Sequence, residues 1–162
     1  MNKKLLKTTE NKYGQVRYFI YGNDYNLCTD NVPFKIIAFG KYNIELGSCS
    51  LNVKFKTHSK EKPATYQIKM EHFNSNKVCS YDEFICNVFD CVENFIQDRE
   101  MRYCKIVGNF GYSKQIANAL TEKGYEINQG QVEKSIFVPN YRTTEERANT
   151  YKIFNEDNEN QL

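Results

Sequence analysis

"ANALTEKGYEINQGQVEKSIFVPN", residues 117–140, decides how this fold is read. Its opening residues complete "YSKQIANALTEKG" (112–124), which reads as a helix with Ser113 near its start. Gly124 is the expected left-handed stop, because glycine adopts that conformation without a Cβ clash. "YEI" and "KSIFV" then read as two closing strands, with "NQGQVE" as the turn between them. A helix delivered straight into a strand pair closes an α/β sheet.

The residues before it supply the rest of that sheet. "SYDEF" opens a second, longer helix, and its spacing matches a capping box in which Ser80 accepts from the Glu83 amide and Glu83 reaches back. Phe84, Ile85, Val88, Phe89, Val92, Phe95 and Ile96 follow at helical spacing on one broad stripe. "RYCKIVG" (102–108) between the two helices is a short buried strand. Further upstream, "QVRYFIY", "PFKIIAFG", "YNIELG" and "SCSLNVKFKT" are β-rich. In the last of these Cys49, Leu51, Val53 and Phe55 alternate with Ser50, Asn52, Lys54 and Lys56. "ATYQIKMEHF" repeats the alternation, with Tyr66, Ile68 and Met70 opposite Gln67, Lys69 and Glu71. A period of two with one polar side means antiparallel strands with one wet face. The front half is thus expected to be a meander of three or four strands.

At 162 residues, residues 1–140 suit a single α/β domain with its own core. "TTEERANTYKIF" suggests a surface helix over 141–154, and the polar 155–162 a disordered tail. Nothing approaches the roughly 20 apolar residues of a membrane span. "MNKKLLKTTENK" has lysines but no apolar run behind them, so it reads as a mature, cytoplasmic N-terminus. The six cysteines, Cys28, Cys49, Cys79, Cys86, Cys91 and Cys104, form no CxxC pair, and His58 and His72 are the only histidines. Zinc sites bring their ligands in close pairs, so no metal is expected, and the thiols read as reduced core residues.

The order of strands, then helix, strand, helix and two strands resembles that of the GNAT superfamily of acyl-CoA N-acyltransferases. Gly124 and Tyr125 match the Gly-aromatic pair at which a GNAT helix returns to a strand, and Asn109 matches an asparagine after the fifth strand. The resemblance implies a mixed, mainly antiparallel sheet with two main helices in GNAT-like topology, and acetyl-CoA as cofactor. The chain departs from the family in three places. Family members hold the cofactor's diphosphate on bare amides of a glycine-containing loop at the start of the central helix. Here that loop is "HFNSNKVCSYDEF"; Ser48 to Val107 contains no glycine, and Asp82 and Glu83 occupy the first helical turn. Those carboxylates compete for the dipole a phosphate needs and repel it; Lys77 offsets one charge. Many members also place a tyrosine general acid four residues before the Gly-aromatic pair, where this chain has Leu120. Glu71 matches the family's strand glutamate but reads as a solvated residue. The helices the family inserts after its first strand are absent, with only "NDYNLCTDNV" in their place.

Charge is uneven beneath a net +2. Lys54, Lys56, Lys60, Lys62 and Lys69, with His58, gather around one hairpin, while Asp82, Glu83, Asp90, Glu93, Asp98 and Glu100 line the long helix. The basic ribbon suits a nucleic-acid backbone, or simply a sheet edge protected by lysines. The acidic face, with Asp90 and Glu93 at its middle, suits a basic protein surface, or simply solvent. A Cys79–His72 nucleophile pair lacks an orienting third group. The sequence therefore points to a non-catalytic binding protein on an acetyltransferase-like domain, without cofactor, whose partner is a protein or nucleic acid. A composition rich in Asn, Lys, Tyr and Ile suits a phage or plasmid accessory protein that inhibits a host system. The alternatives are a divergent N-acetyltransferase using acetyl-CoA and a nucleic-acid-binding protein using hairpin 54–69.

Overall fold

The computed structural model describes residues 2–22, 31–56, 65–76 and 80–139. They form one eight-stranded sheet with two α-helices. Five strands make an antiparallel meander: β1 (Asn2–Asn11), β2 (Gly14–Gly22), β3 (Val32–Phe39), β4 (Glu45–Lys56) and β5 (Thr65–Ser75). Helix α1 (Tyr81–Asp98) then carries the chain back to β6 (Tyr103–Asn109), which pairs with β5 in parallel. Helix α2 (Lys114–Glu122) leads to the hairpin of β7 (Glu126–Asn128) and β8 (Gln131–Phe137), and β8 lies beside β6. The spatial order is β1-β2-β3-β4-β5-β6-β8-β7, so the sheet is mixed and mainly antiparallel, as expected.

Period-two alternation gives the sheet a dry face and a wet one. Tyr18, Ile20, Ile36, Leu51, Val53, Ile68, Met70 and Ile106 are buried on the side that meets α1. All seven residues of the α1 stripe are buried against them. Phe84 stacks on Tyr18 at 6.3 Å and Phe95 tilts over Phe34 at 5.3 Å between ring centroids. Fully burying a side chain of this kind contributes about 1.5–3 kcal/mol, so the stripe is what holds α1 to the sheet. Ile116 and Leu120 of α2 join the same core.

Several local expectations need correction. The meander has five strands rather than three or four, because "NKKLLKTTEN" is β1. Its inward positions Lys4 and Lys7 are polar in sequence, but they reach carboxylates on α1, so no apolar alternation announces the strand. Inward-pointing charge on an edge strand also blocks edge-to-edge pairing. "YNIELG" and "SCSLNVKFKT" are one strand, β4, entered through a 3-10 turn at Lys41–Asn43. The capping box does not form, since Ser80 makes no side-chain cap bond. At α2, by contrast, Ser113 Oγ accepts from the Ile116 amide at 3.1 Å, and Gly124 stops the helix at φ 92°. The final turn is only Gln129-Gly130, both at positive φ as a two-residue primed hairpin turn requires, so β8 starts earlier than "KSIFV". The expected helix 141–154, the tail 155–162 and the loop 23–30 lie outside the described residues. No helix among the described residues is long and apolar enough to cross a membrane.

Candidate functional site

Three surfaces were singled out by the sequence: the start of α1, its acidic face, and the lysines of β4 and β5. Asp82 and Glu83 do stand in the first turn of α1. Beside them β5 and β6 part after Met70 pairs with Gly108, and a bulge in β5 puts His72 at φ 55°. The wedge between the strands is filled by the chain's own rings. Phe73 and Phe110 lie 4.7 Å apart, Phe89 is 5.8 Å from Phe110, and Tyr112 meets Phe110 edge-on. The Tyr81 hydroxyl then donates to the Gly111 carbonyl at 3.1 Å, tying the helix start to the loop after β6. Leu120 is fully buried. The Tyr125 hydroxyl donates to Glu93, and burial followed by that carboxylate pushes its pKa far above the ordinary tyrosine value. Glu71 pairs with Lys69 at 3.2 Å and faces away from this wedge, on the other side of the sheet.

Asp90 and Glu93 are engaged within the fold. Asp90 accepts from Lys7 of β1 at 2.6 Å and from Lys123 at 2.9 Å. Burial works to raise its pKa, but the two ammonium hydrogen bonds outweigh burial and hold it below the usual carboxylate range. Glu93 accepts from Tyr125 at 2.7 Å and Lys134 at 2.9 Å. Asp98 takes Lys4 at 3.2 Å. Much of the acidic face is therefore a clamp that binds α1 to β1, α2 and β8.

The opposite face of the sheet carries no helix among the described residues. Alternation puts Arg17, Lys35, Lys54, Lys69 and Lys105 on it from β2 to β6, against Glu45 and Glu71. Lys54 and Lys105 flank Gln67 in one cross-strand row, and Lys69 stands between Asn52 and Val107 in the next. Lys56 pairs with Thr65 at the end of the ladder, while Lys60, Lys62 and His58 lie outside the described residues. Lys69–Glu71 and Lys105–Glu133, at 3.2 and 3.3 Å, are solvent-facing pairs of the kind worth about 0–1 kcal/mol.

Aromatic rings sit at both ends of this open face. At one end a hollow of about 370 Å³ is lined by Lys3, Arg17, Phe19, Tyr21, Phe39 and Asn43. Lys3 and Arg17 stand over the Phe19 ring at 5.0 and 5.8 Å. At the other end Tyr103 and Phe137 are neighbours on β6 and β8. Sequence reading missed Arg17, Lys35 and Lys105, although each is the cation at a polar step of an otherwise apolar strand. Such single cations signal a wet face only when the strands are aligned.

Among the described residues no group of three or more His, Cys, Asp or Glu is placed to hold a metal. Cys49, Cys91 and Cys104 are buried free thiols and Cys86 is half-buried. Burial pushes Cys104 up to about 12 and Cys49 and Cys91 higher still, so none of the three is a nucleophile at neutral pH. Cys28 and Cys79 lie outside the described residues.

No family model matches the chain, and no curated protein matches it. Five chains among solved structures do. One is the N-terminal domain of a ribosomal-protein-alanine acetyltransferase from Clostridium acetobutylicum, with TM-score 0.40 and 14% identity over 86% of this chain and 100% of that one.

Proposed function

We propose that this chain is a non-catalytic binding protein that takes nucleic acid across its open sheet face. The carrying observation is the run of cations at the centre of that face, Arg17, Lys35, Lys54, Lys69 and Lys105 on β2–β6 against Glu45 and Glu71, with Glu133 of β8 beside Lys105, on a surface that no described helix covers. Lysines spread over neighbouring strands can neutralise several backbone phosphates at once, and counterion release from the polymer supplies the affinity. The two described hairpin lysines, Lys54 and Lys69, lie within this larger surface and are joined there by Arg17, Lys35 and Lys105.

The order of strands and helices supports reading the domain as built on a GNAT-like scaffold, the basis of the acetyltransferase alternative. The residues at the start of α1 argue against that activity. A diphosphate there meets Asp82 and Glu83, the adjoining wedge is packed with rings, and the position expected to hold a general acid is buried Leu120. Inhibition of a host protein through the acidic helix loses support because Asp90 and Glu93 are spent internally.

Fluorescence anisotropy on labelled oligonucleotides at rising salt tests the proposal. With about three phosphates contacted, log K falls against log salt with a slope of about −2 to −3. The triple variant Lys54→Glu, Lys69→Glu, Lys105→Glu abolishes binding while keeping the fold. Absence of binding at low salt, or binding indifferent to the triple variant, rejects the proposal.

A further inference from the structure

We infer that the nucleic acid is single-stranded and that its bases stack on Tyr103 and Phe137. This rests on the binding function proposed above and specifies its ligand. Tyr103 and Phe137 pair directly across β6 and β8, on the open side of the sheet, since their neighbours Cys104 and Ile136 pack into the core. Their centroids are 5.1 Å apart and the rings are tilted by 43°. Tyr103 is 36% exposed and Phe137 52%, whereas Phe19 at the far end of the same face is 6% exposed. Large apolar rings left in water on a sheet surface cost solvation that inward placement would have recovered, so they suit a ligand with a flat apolar face.

The surrounding charge is that of a nucleotide site. The Arg102 guanidinium lies over both rings, 5.6 Å from each centroid, so a base stacking there takes its place and leaves the guanidinium to meet the attached phosphate. Lys105 stands next on β6, with Lys54 in its row across Gln67. A groove of about 320 Å³ runs between Thr65, Lys105 and Ser135 beside the two rings. Stacking on protein aromatics needs an unpaired base with a free face, which a single strand offers along its length and a duplex hides in its interior. Two adjacent rings with cations one row away match successive nucleotides, whose bases stack while their phosphates meet the lysines.

The full chain is titrated against labelled oligo(dT) of about 15 nucleotides, near the upper site size of a single OB fold, and against duplex of equal length. The expected result is binding at least ten-fold tighter to the single strand. Tyr103→Leu and Phe137→Leu keep an apolar pair on the sheet and each weakens single-strand binding about ten-fold, with duplex binding unchanged. The chain has no tryptophan, so Tyr103→Trp gives a unique fluorophore, expected to be quenched as oligo(dT) binds. Salt-dependent, lysine-dependent binding that is equal for the two polymers and unmoved by the leucine variants overturns the stacking inference and leaves the binding function intact. Failure of both polymers to bind at low salt overturns both.

Discussion

The Tyr125 hydroxyl donates to Glu93 Oε2 at 2.7 Å, joining the residue just after α2 to the middle of α1. Lys134 of β8 fills the other oxygen at 2.9 Å and also donates to the Lys123 carbonyl at 2.8 Å. The Tyr125 ring lies edge-on to Phe89 at 4.8 Å. Removing the hydroxyl alone, in Tyr125→Phe, costs about 1–2 kcal/mol, because a hydrogen bond to a charged group is lost while Lys134 still neutralises Glu93. Tyr125→Ala also opens a cavity and costs about 3–5 kcal/mol. Urea denaturation of the two variants measures both, and equal losses would mean that the hydroxyl contributes all the stability.

Asp90 makes stability pH-dependent on the acid side. Its pKa in the folded chain is lowered from an ordinary 3.8, so its contribution is fully present above that value. The contribution fades as pH falls below 3.8 through the folded value. Asp90→Asn is expected to cost about 1–2 kcal/mol at pH 7, with partial solvent access limiting the figure, and the gap from the parent is expected to narrow as pH falls below 3.8. Lys123 has the opposite sign: the Asp90 hydrogen bond raises its pKa, so its share persists at neutral pH and is lost only in strong alkali. Thermal melts of parent and Asp90→Asn across pH 2–8 check the Asp90 contribution, and a gap that does not narrow below pH 3.8 contradicts it.

The same pairs explain what was readable in the sequence. Residues that alternate or repeat locally announced β4, β5 and α1, because one face of each is dry and its apolar residues are close neighbours in the chain. Strand β1 stayed hidden because the partners of its inward lysines are far away in sequence: Lys7 meets Asp90 across 83 positions and Lys4 meets Asp98 across 94. Asp90 and Glu93 looked like free surface for the same reason, since a helical wheel shows a charge but not the cation packed against it. Lys54 and Lys69 were visible as a cluster; Lys35 and Lys105 joined them only when the strands were placed in register.

Gly47 leaves room for the Phe84 ring of α1 to lie close against β4. A Cβ there falls 2.7 Å from the Phe84 ring and 2.8 Å from the Asn74 carbonyl oxygen. The ring has to shift and the β4–β5 backbone with it, so Gly47→Ala is expected to cost about 1–3 kcal/mol by overpacking. At Gly108 the nearest atoms belong to the rings of Phe89 and Phe110, at 2.9 and 3.1 Å, with no backbone atom among the nearest. Gly108→Ala should therefore cost less than Gly47→Ala. Denaturation midpoints of the pair decide it, and a neutral Gly47→Ala would mean that α1 sits more loosely on the sheet than the contact implies.

Acetyl-CoA binding is the measurement on which the non-catalytic reading turns. At the start of α1 a diphosphate faces Asp82 and Glu83, and like charges near a helix N-terminus offset the dipole that would attract it. Entry from the strand side meets the Phe73–Phe110 contact and the Tyr81–Gly111 hydrogen bond, so the ligand has to displace packed rings before it reaches an amide. Calorimetry is expected to register no binding heat at millimolar acetyl-CoA. Asp82→Asn with Glu83→Gln removes the repulsion but leaves the rings in place, and is expected to stay silent as well. Micromolar affinity in the parent chain would restore the acyltransferase reading; affinity appearing only in the double variant would make the two carboxylates the sole barrier and show that the aromatic wedge yields.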